Sequence, residues 1–314
     1  MYYPLLRARQ FELIALRELA IEGITQGYIT PILEPVKKSQ NNLNLACRVF
    51  KQQEQQSYLI VNPTVGELSS DDDFFLEYIA NHAEGILIPA FHYRSNANYI
   101  RQSINNHGLS NCMIICQKDV SADDNDFVNL VQQKEISSIN VEDPGRNRAL
   151  NRFLRGLNKN YIRLDDFFEK QARNSDFLNI EEHRFSEEHL YYKDEGFMGF
   201  SDFTVLPSEY TAGGSTPRAV VIHLTYLNGQ NQIWIRHFTS YSNDSIANVQ
   251  GKFAEAALKA VTYCRENHLT NSAIQELENY FEDEHYPGLG VTKKIYIKNH
   301  ILVVREYLSN REVI

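Results

Sequence analysis

Tryptophan is nearly missing from this chain: 314 residues contain one, together with only three Met and four Cys. Clefts that bind sugars commonly stack aromatic rings on the substrate, so a single Trp weighs against a glycoside hydrolase. No apolar run approaches the ~20 residues needed to cross a bilayer. The opening segment MYYPLLRARQFELIAL carries its cations after the first apolar run and offers no small-residue cleavage site, unlike a signal peptide. Cys47, Cys112, Cys116 and Cys264 show no paired Cys/His spacing for zinc. Cys112 and Cys116 flank Met-Ile-Ile, as core strand residues would, so four reduced thiols and a cytoplasmic location are expected. No GxGxxG follows any strand candidate, which disfavours a dinucleotide-binding fold.

Positive charge is also in deficit, with 31 Lys and Arg against 40 Asp and Glu, a net charge of −9. A coat for duplex nucleic acid usually presents a basic face. Local cations at Arg146, Arg148, Arg152 and Arg155 leave room for a single phosphate or a short strand. What the chain does hold is aromatic area, in 18 Tyr and 17 Phe, enough for a sizeable core.

Eight short apolar runs recur at near-constant spacing: Tyr2–Leu6, Ile29–Leu33, Tyr58–Val61, Ile86–Ala90, Cys112–Cys116, Ile139–Val141, Tyr161–Leu164 and Phe197–Phe200. They are continuous rather than alternating, as parallel strands covered on both faces are. Amphipathic patterns fall between them at Phe11–Ile21, Phe74–Asn81 (behind Asp71-Asp72-Asp73), Asn96–Asn106, Asp123–Gln133, Arg148–Leu157 and Glu181–Lys193. Eight repeats of this length predict an α/β fold, a parallel (β/α)8 TIM-like barrel rather than an open sheet. Beyond the eighth strand, Ala219–Leu227 and Gln232–Thr239 alternate around Asn228-Gly229, predicting a β-hairpin insertion within residues 201–244. Ser245 is the expected cap of a long helix to about His268, read as the last of the barrel. Helices over Asn271–Phe281 and Lys294–Leu308 complete a C-terminal elaboration of residues 270–314 on one barrel domain spanning 1–314.

Working residues of parallel barrels gather at the carboxyl ends of the strands. Those positions here are Arg7, Glu34, Asn62, His92, Lys118, Glu142 with Asp143, Asp165 with Asp166, and Asp202. Carboxylates crowded on one rim raise one another's pKa, preparing a general acid, or gather a divalent metal. Glu34, Glu142, Asp165 and Asp202 are therefore the candidate catalytic residues. Arg7, Arg9, Asn62, His92 and Lys118 are the candidate ligand contacts. His223, His237, His285 and His300 lie outside the strand ladder and are expected at the surface or as caps. Gly213-Gly214-Ser215 reads as a loop tip, and Trp234 as a packed hairpin residue.

The opening YYPLLRARQFELIALREL, then TPILEPV, GFMGFSDF and the closing helical segment resemble the Beta protein family of bacterial and phage-associated proteins. The family's basic residue and Arg ahead of an E-x-x-A-L helix correspond to Arg7, Arg9, Glu12, Ala15 and Leu16. Its P-[IL]-[IL]-E corresponds to Pro31, Ile32, Leu33 and Glu34. Its G-D-Y element is only approximated by Ser201-Asp202-Phe203, with Ser for Gly and Phe for Tyr. The resemblance implies a place in antiviral gene clusters beside a nuclease-like partner. Two functions are compatible with the whole: a rim that binds or hydrolyses a phosphorylated or nucleotide-like ligand, and a non-catalytic scaffold for that partner.

Overall fold

Short β-branched and aliphatic runs separated by amphipathic segments fold here as alternating strands and helices. In a computed structural model, residues 1–69, 73–83, 85–117, 120–213 and 216–311 are described. In chain order the elements are β1 (Leu5–Leu6), α1 (Gln10–Ile21), β2 (Ile32–Leu33), α2 (Asn41–Gln52), β3 (Ser57–Ile60), α3 (Phe74–His82) and β4 (Leu87–His92). Next come α4 (Ala97–His107), β5 (Cys112–Cys116), α5 (Asn125–Val131), β6 (Ile136–Glu142), α6 (Arg148–Arg155) and β7 (Asn160–Asp165). They are followed by β8 (Glu182–Ser186), α7 (Glu188–Tyr191), β9 (Gly199–Asp202), β10 (Val221–Leu227) and β11 (Ile233–Thr239). Helices α8 (Val249–Glu266), α9 (Ser272–Glu282) and α10 (Leu289–Asn310) end the chain.

Contacts divide these elements into two compact units, the first being residues 1–13, 20–166 and 191–203. In it β1 through β7 and β9 pair in sequence, all parallel. A parallel bridge between Tyr2 and Phe200 closes the ring, with Tyr3 N–H donating to Phe200 O at 2.9 Å. The fold is an α/β (β/α)8 barrel, and all eight expected strands are in it. Its lumen is filled by Tyr3, Leu5, Ile32, Ile60, Met113, Ile162 and their neighbours. These alternate along each strand with residues that face the helices, the period-two rule of a pleated chain. Helix α2 is not among the patterns singled out above, although Leu43, Ala46, Cys47 and Phe50 bury an i, i+3, i+4, i+7 stripe.

The second unit comprises residues 14–19, 167–190 and 204–314. Its sheet has the order β10-β11-β8, antiparallel throughout. The helix expected over Glu181–Lys193 is here strand β8 followed by the short α7; pairing with β11 outweighs the helical pattern. The hairpin turn is also longer than Asn228-Gly229. Asn228 Oδ1 accepts the N–H groups of Gln230 and Gln232, each at 2.9 Å, so that Leu227 pairs with Ile233. A two-residue turn would have set His223 against Trp234; the longer loop sets it against His237. Helix α8, expected to finish the barrel, packs on β10 and β11 and is capped by Asn248 rather than Ser245. Three of the four histidines expected outside are buried: His223, His237 and His300, whereas His285 is exposed.

All four cysteines are free and buried. Among the described residues no helix is long and apolar enough to cross a membrane. Asp71, Asp72, Gly214 and Ser215 lie outside the described residues.

One close approach fixes the barrel seam. A Cβ on Gly199 would lie 2.5 Å from the Tyr3 ring. Gly199→Ala is expected to cost about 1–3 kcal/mol by overpacking. The measurement is the urea midpoint, which should fall at unchanged slope.

Candidate functional site

The alternation that fills the lumen also decides which strand-end residues reach the mouth. Leu5, Ile32, Ile60, Ala90 and Ile115 face inward, so Arg7, Glu34, Asn62 and His92, two residues further along their strands, face inward as well. By the same count Glu142 follows Ser138 and Asn140 on the inner face of β6. Asp165 and Asp202 fall on the other side. Ile162 and Leu164 belong to the luminal core, so Arg163 and Asp165 face out, and Arg163 clasps Asp165 with bonds of 2.7 and 3.1 Å. Phe203 is luminal, so Asp202 shares the outer face with Phe200 and accepts the Tyr2 hydroxyl at 2.5 Å. The four expected catalytic carboxylates thus divide into two at the mouth and two behind it.

Glu34 is wholly buried, and its acceptors are taken. Oε2 receives Arg7 Nη1. Oε1 receives Thr64 N–H at 2.8 Å, the Thr64 hydroxyl at 3.0 Å and His92 Nε2 at 3.1 Å. Pro35 ends the strand immediately after Glu34. Gly66, at φ +95°, lies so close over Val36 that a Cβ would sit 2.5 Å from its backbone, which brings the loop carrying Thr64 onto Glu34. This carboxylate holds Arg7 in place; it is not available for proton transfer.

Glu34 would favour a charged His92, but Arg7 already neutralises it. Burial, with the charges of Arg7 and Arg94, pushes the His92 pKa down to about 3. His92 is therefore a neutral ring donating Nε2–H to Glu34. Asn62 is engaged at both ends of its amide with the His92 backbone, at 2.8 and 2.9 Å, and serves to position that residue. Arg9 begins the turn into α1, where its N–H donates to Glu12 at 3.3 Å. Lys118 lies outside the described residues.

Glu142 differs from Glu34 in each respect. It is half-buried and makes no hydrogen bond or ion pair among the described residues. Desolvation, then the charges of Asp166, Asp165 and Asp143, push its pKa up to about 7, while Arg7 opposes them. Burial similarly raises Asp165, with Arg163 opposing. Arg7 lies under the combined field of Glu12, Glu142 and Asp166 and over the Phe203 ring, 5.7 Å from its centroid. Thr64 and Phe203 are the contacts that strand-end reasoning missed; inner-face parity would have found Phe203. Among the described residues no group of three His, Cys, Asp or Glu side chains is arranged to hold a metal ion.

A parallel eight-stranded barrel with an arginine and a titrating glutamate at its carboxyl-end mouth is the class of protein defined here. No family model matches the chain, and no curated protein is significantly similar to it.

Two outcomes follow for stability. Removing Glu34 (Glu34→Ala) leaves a largely buried guanidinium uncompensated and should cost about 3–5 kcal/mol, whereas the paired replacement Arg7→Met/Glu34→Met should cost far less; denaturant titration of all three distinguishes them. His92 has a folded pKa below its unfolded value, so the unfolded chain binds the extra proton. Its contribution is present above the ordinary imidazole pKa of about 6.5 and is lost as pH falls towards about 3. The stability advantage of the wild type over His92→Gln should therefore shrink on acidification through that window.

Proposed function

We propose that the barrel mouth is the active site of a hydrolase acting on a phosphate ester, with Glu142 as general acid and Arg7 as the contact for the anionic group. The observation that carries this reading is the Glu142 carboxyl, pushed to about 7 on the inner face of the strand end where parallel barrels keep their chemistry. A carboxylic acid half protonated near neutrality can give its proton to a departing alkoxide at little cost. Arg7, held by Glu34, meets negative charge without having to reorganise. Thr64 and His92 act through Glu34, and Asn62 through His92, so all three are positioning residues.

A second reading is hydrolysis of a glycosidic bond, with Glu142 as acid and Asp166 as the second carboxylate. It is favoured by the excess of carboxylates over cations around Glu142. The phage-defence setting, a nuclease-like partner and a cytoplasmic location come from the motif resemblance and the free cysteines. They are carried as part of the proposal.

The test uses substrates with poor leaving groups, for which a proton donor matters: alkyl phosphomonoesters and diesters, and alkyl glycosides. Phosphate ester cleavage by the full chain should lose about 10²-fold or more in kcat in Glu142→Gln. In the wild type, kcat should fall as pH rises through about 7. Turnover of glycosides alone would favour the second reading. Equal activity of Glu142→Gln, or no turnover of either class, would overturn both.

The same group has a stability signature of opposite sign to that of His92. Its folded pKa is raised, so its contribution is present below about 4.5 and is lost as pH rises through about 7. Glu142→Gln should therefore be more stable than the wild type at pH 8, by thermal or denaturant unfolding, while turning over more slowly.

A further inference from the structure

The second unit holds a pocket of about 850 Å³ whose lining departs from the acidic balance of the chain. Arg173, Arg218 and Lys293 line it, and among the described residues no Asp or Glu does. Neither Arg173 nor Arg218 is in an ion pair among the described residues. The half-buried ring of Tyr296 forms part of the wall. The volume is in the usual range for small-molecule and cofactor sites.

His223 also lines this pocket, although it is only 8% exposed. Its Nδ1 is 2.7 Å from His237 Nδ1, and His237 Nε2 is 3.2 Å from His183 Nε2. His183 Nδ1 is 3.1 Å from Arg184 O. A carbonyl oxygen only accepts, so His183 Nδ1 carries a proton. With His183 Nε2 as the acceptor of its pair, His237 Nε2 is a donor and His237 Nδ1 an acceptor. His223 Nδ1 is then the donor of the last bond. The remaining atom, His223 Nε2, presents a lone pair to the pocket and has no hydrogen-bond partner among the described residues. Burial keeps His223 and His237 neutral, with pKa values pushed down to about 3 and about 2.

We infer that this pocket binds a phosphorylated small molecule of nucleotide size, its phosphates held by Arg173, Arg218 and Lys293 and one of its O–H or N–H groups donating to His223 Nε2. Three cations in a lining where no described residue is Asp or Glu attract a multiply charged anion. An acceptor atom at the pocket wall, on a ring held in place by His237, is positioned to receive one ligand donor. The Tyr296 ring provides a flat surface beside these groups for a sugar or base. The site is independent of the mouth chemistry, since every residue invoked belongs to the second unit.

The experiment is calorimetric titration of the full chain at pH 8, above the ordinary imidazole pKa, with pyrophosphate, ribose 5-phosphate and ribonucleoside 5′-diphosphates. At least one ribose-containing ligand should bind more tightly than pyrophosphate. Arg173→Glu/Arg218→Glu, both exposed and therefore tolerant of change, should weaken every ligand by at least about tenfold. His223→Leu should retain pyrophosphate binding, which also certifies its fold, and lose the preference for the ribose-containing ligand. Glu142→Gln should bind all of them as the wild type does. Failure of every probe to bind, undiminished binding by the double arginine variant, or an unchanged preference in His223→Leu would each overturn the inference.

Discussion

A guanidinium that enters the mouth of a closed barrel must bring its counter-ion with it. The lumen beneath is packed largely with Leu, Ile, Met and Tyr, side chains that solvate a charge poorly. Arg7 and Glu34, at the ends of two adjacent strands, meet this requirement together. Each further partner of Glu34 reduces the cost of burying it: a backbone N–H, a hydroxyl and a neutral imidazole. Thr64 can supply its two bonds only because Gly66 lets its loop settle onto Val36. Such a buried pair contributes little net stability compared with an apolar core. Its consequence is positional, since it fixes one cation where the strands end.

That fixed cation sets the electrostatics of the remaining mouth. Glu142 has Arg7 on one side and three carboxylates around it, and the carboxylates together with burial prevail. Had Asp165 and Asp202 also faced the lumen, the negative charge would have been greater still. Instead the pleat turns them outward, where Arg163 and Tyr2 receive them. The same eight strands therefore separate Glu142 in the mouth from acids that staple the outer layer.

Much of this was legible in the residues. Continuous apolar runs at even spacing can bury both faces only in a parallel sheet, and eight of them close. Of the polar residues at their ends, Arg7, Glu34, Asn62, His92 and Glu142 fall on the inner face, whereas Asp165 and Asp202 do not. Strand-end position alone could not tell inside from outside, because that depends on register. Asp165 is separated from the luminal Leu164 by one residue, and a shift of one flips every side chain. Glu34 looked like an acid beside a proline, but the loop that saturates it arrives some thirty residues later. The histidines of the second unit were hidden by a turn. A loop a few residues longer than Asn-Gly slides one strand along the other and brings His223 and His237 face to face. The β8 segment carried a helical pattern, and only its partner β11 made it a strand.

The lone tryptophan has a practical meaning. Trp234 sits half-buried on β11, and the barrel unit contains none. Indole emission therefore watches the antiparallel sheet and is blind to the barrel, whose own optical signal comes from tyrosine. A denaturation curve followed by indole fluorescence consequently reports on the second unit, whereas one followed by far-ultraviolet dichroism reports on the backbone of both. Their coincidence or separation shows whether the two units melt as one.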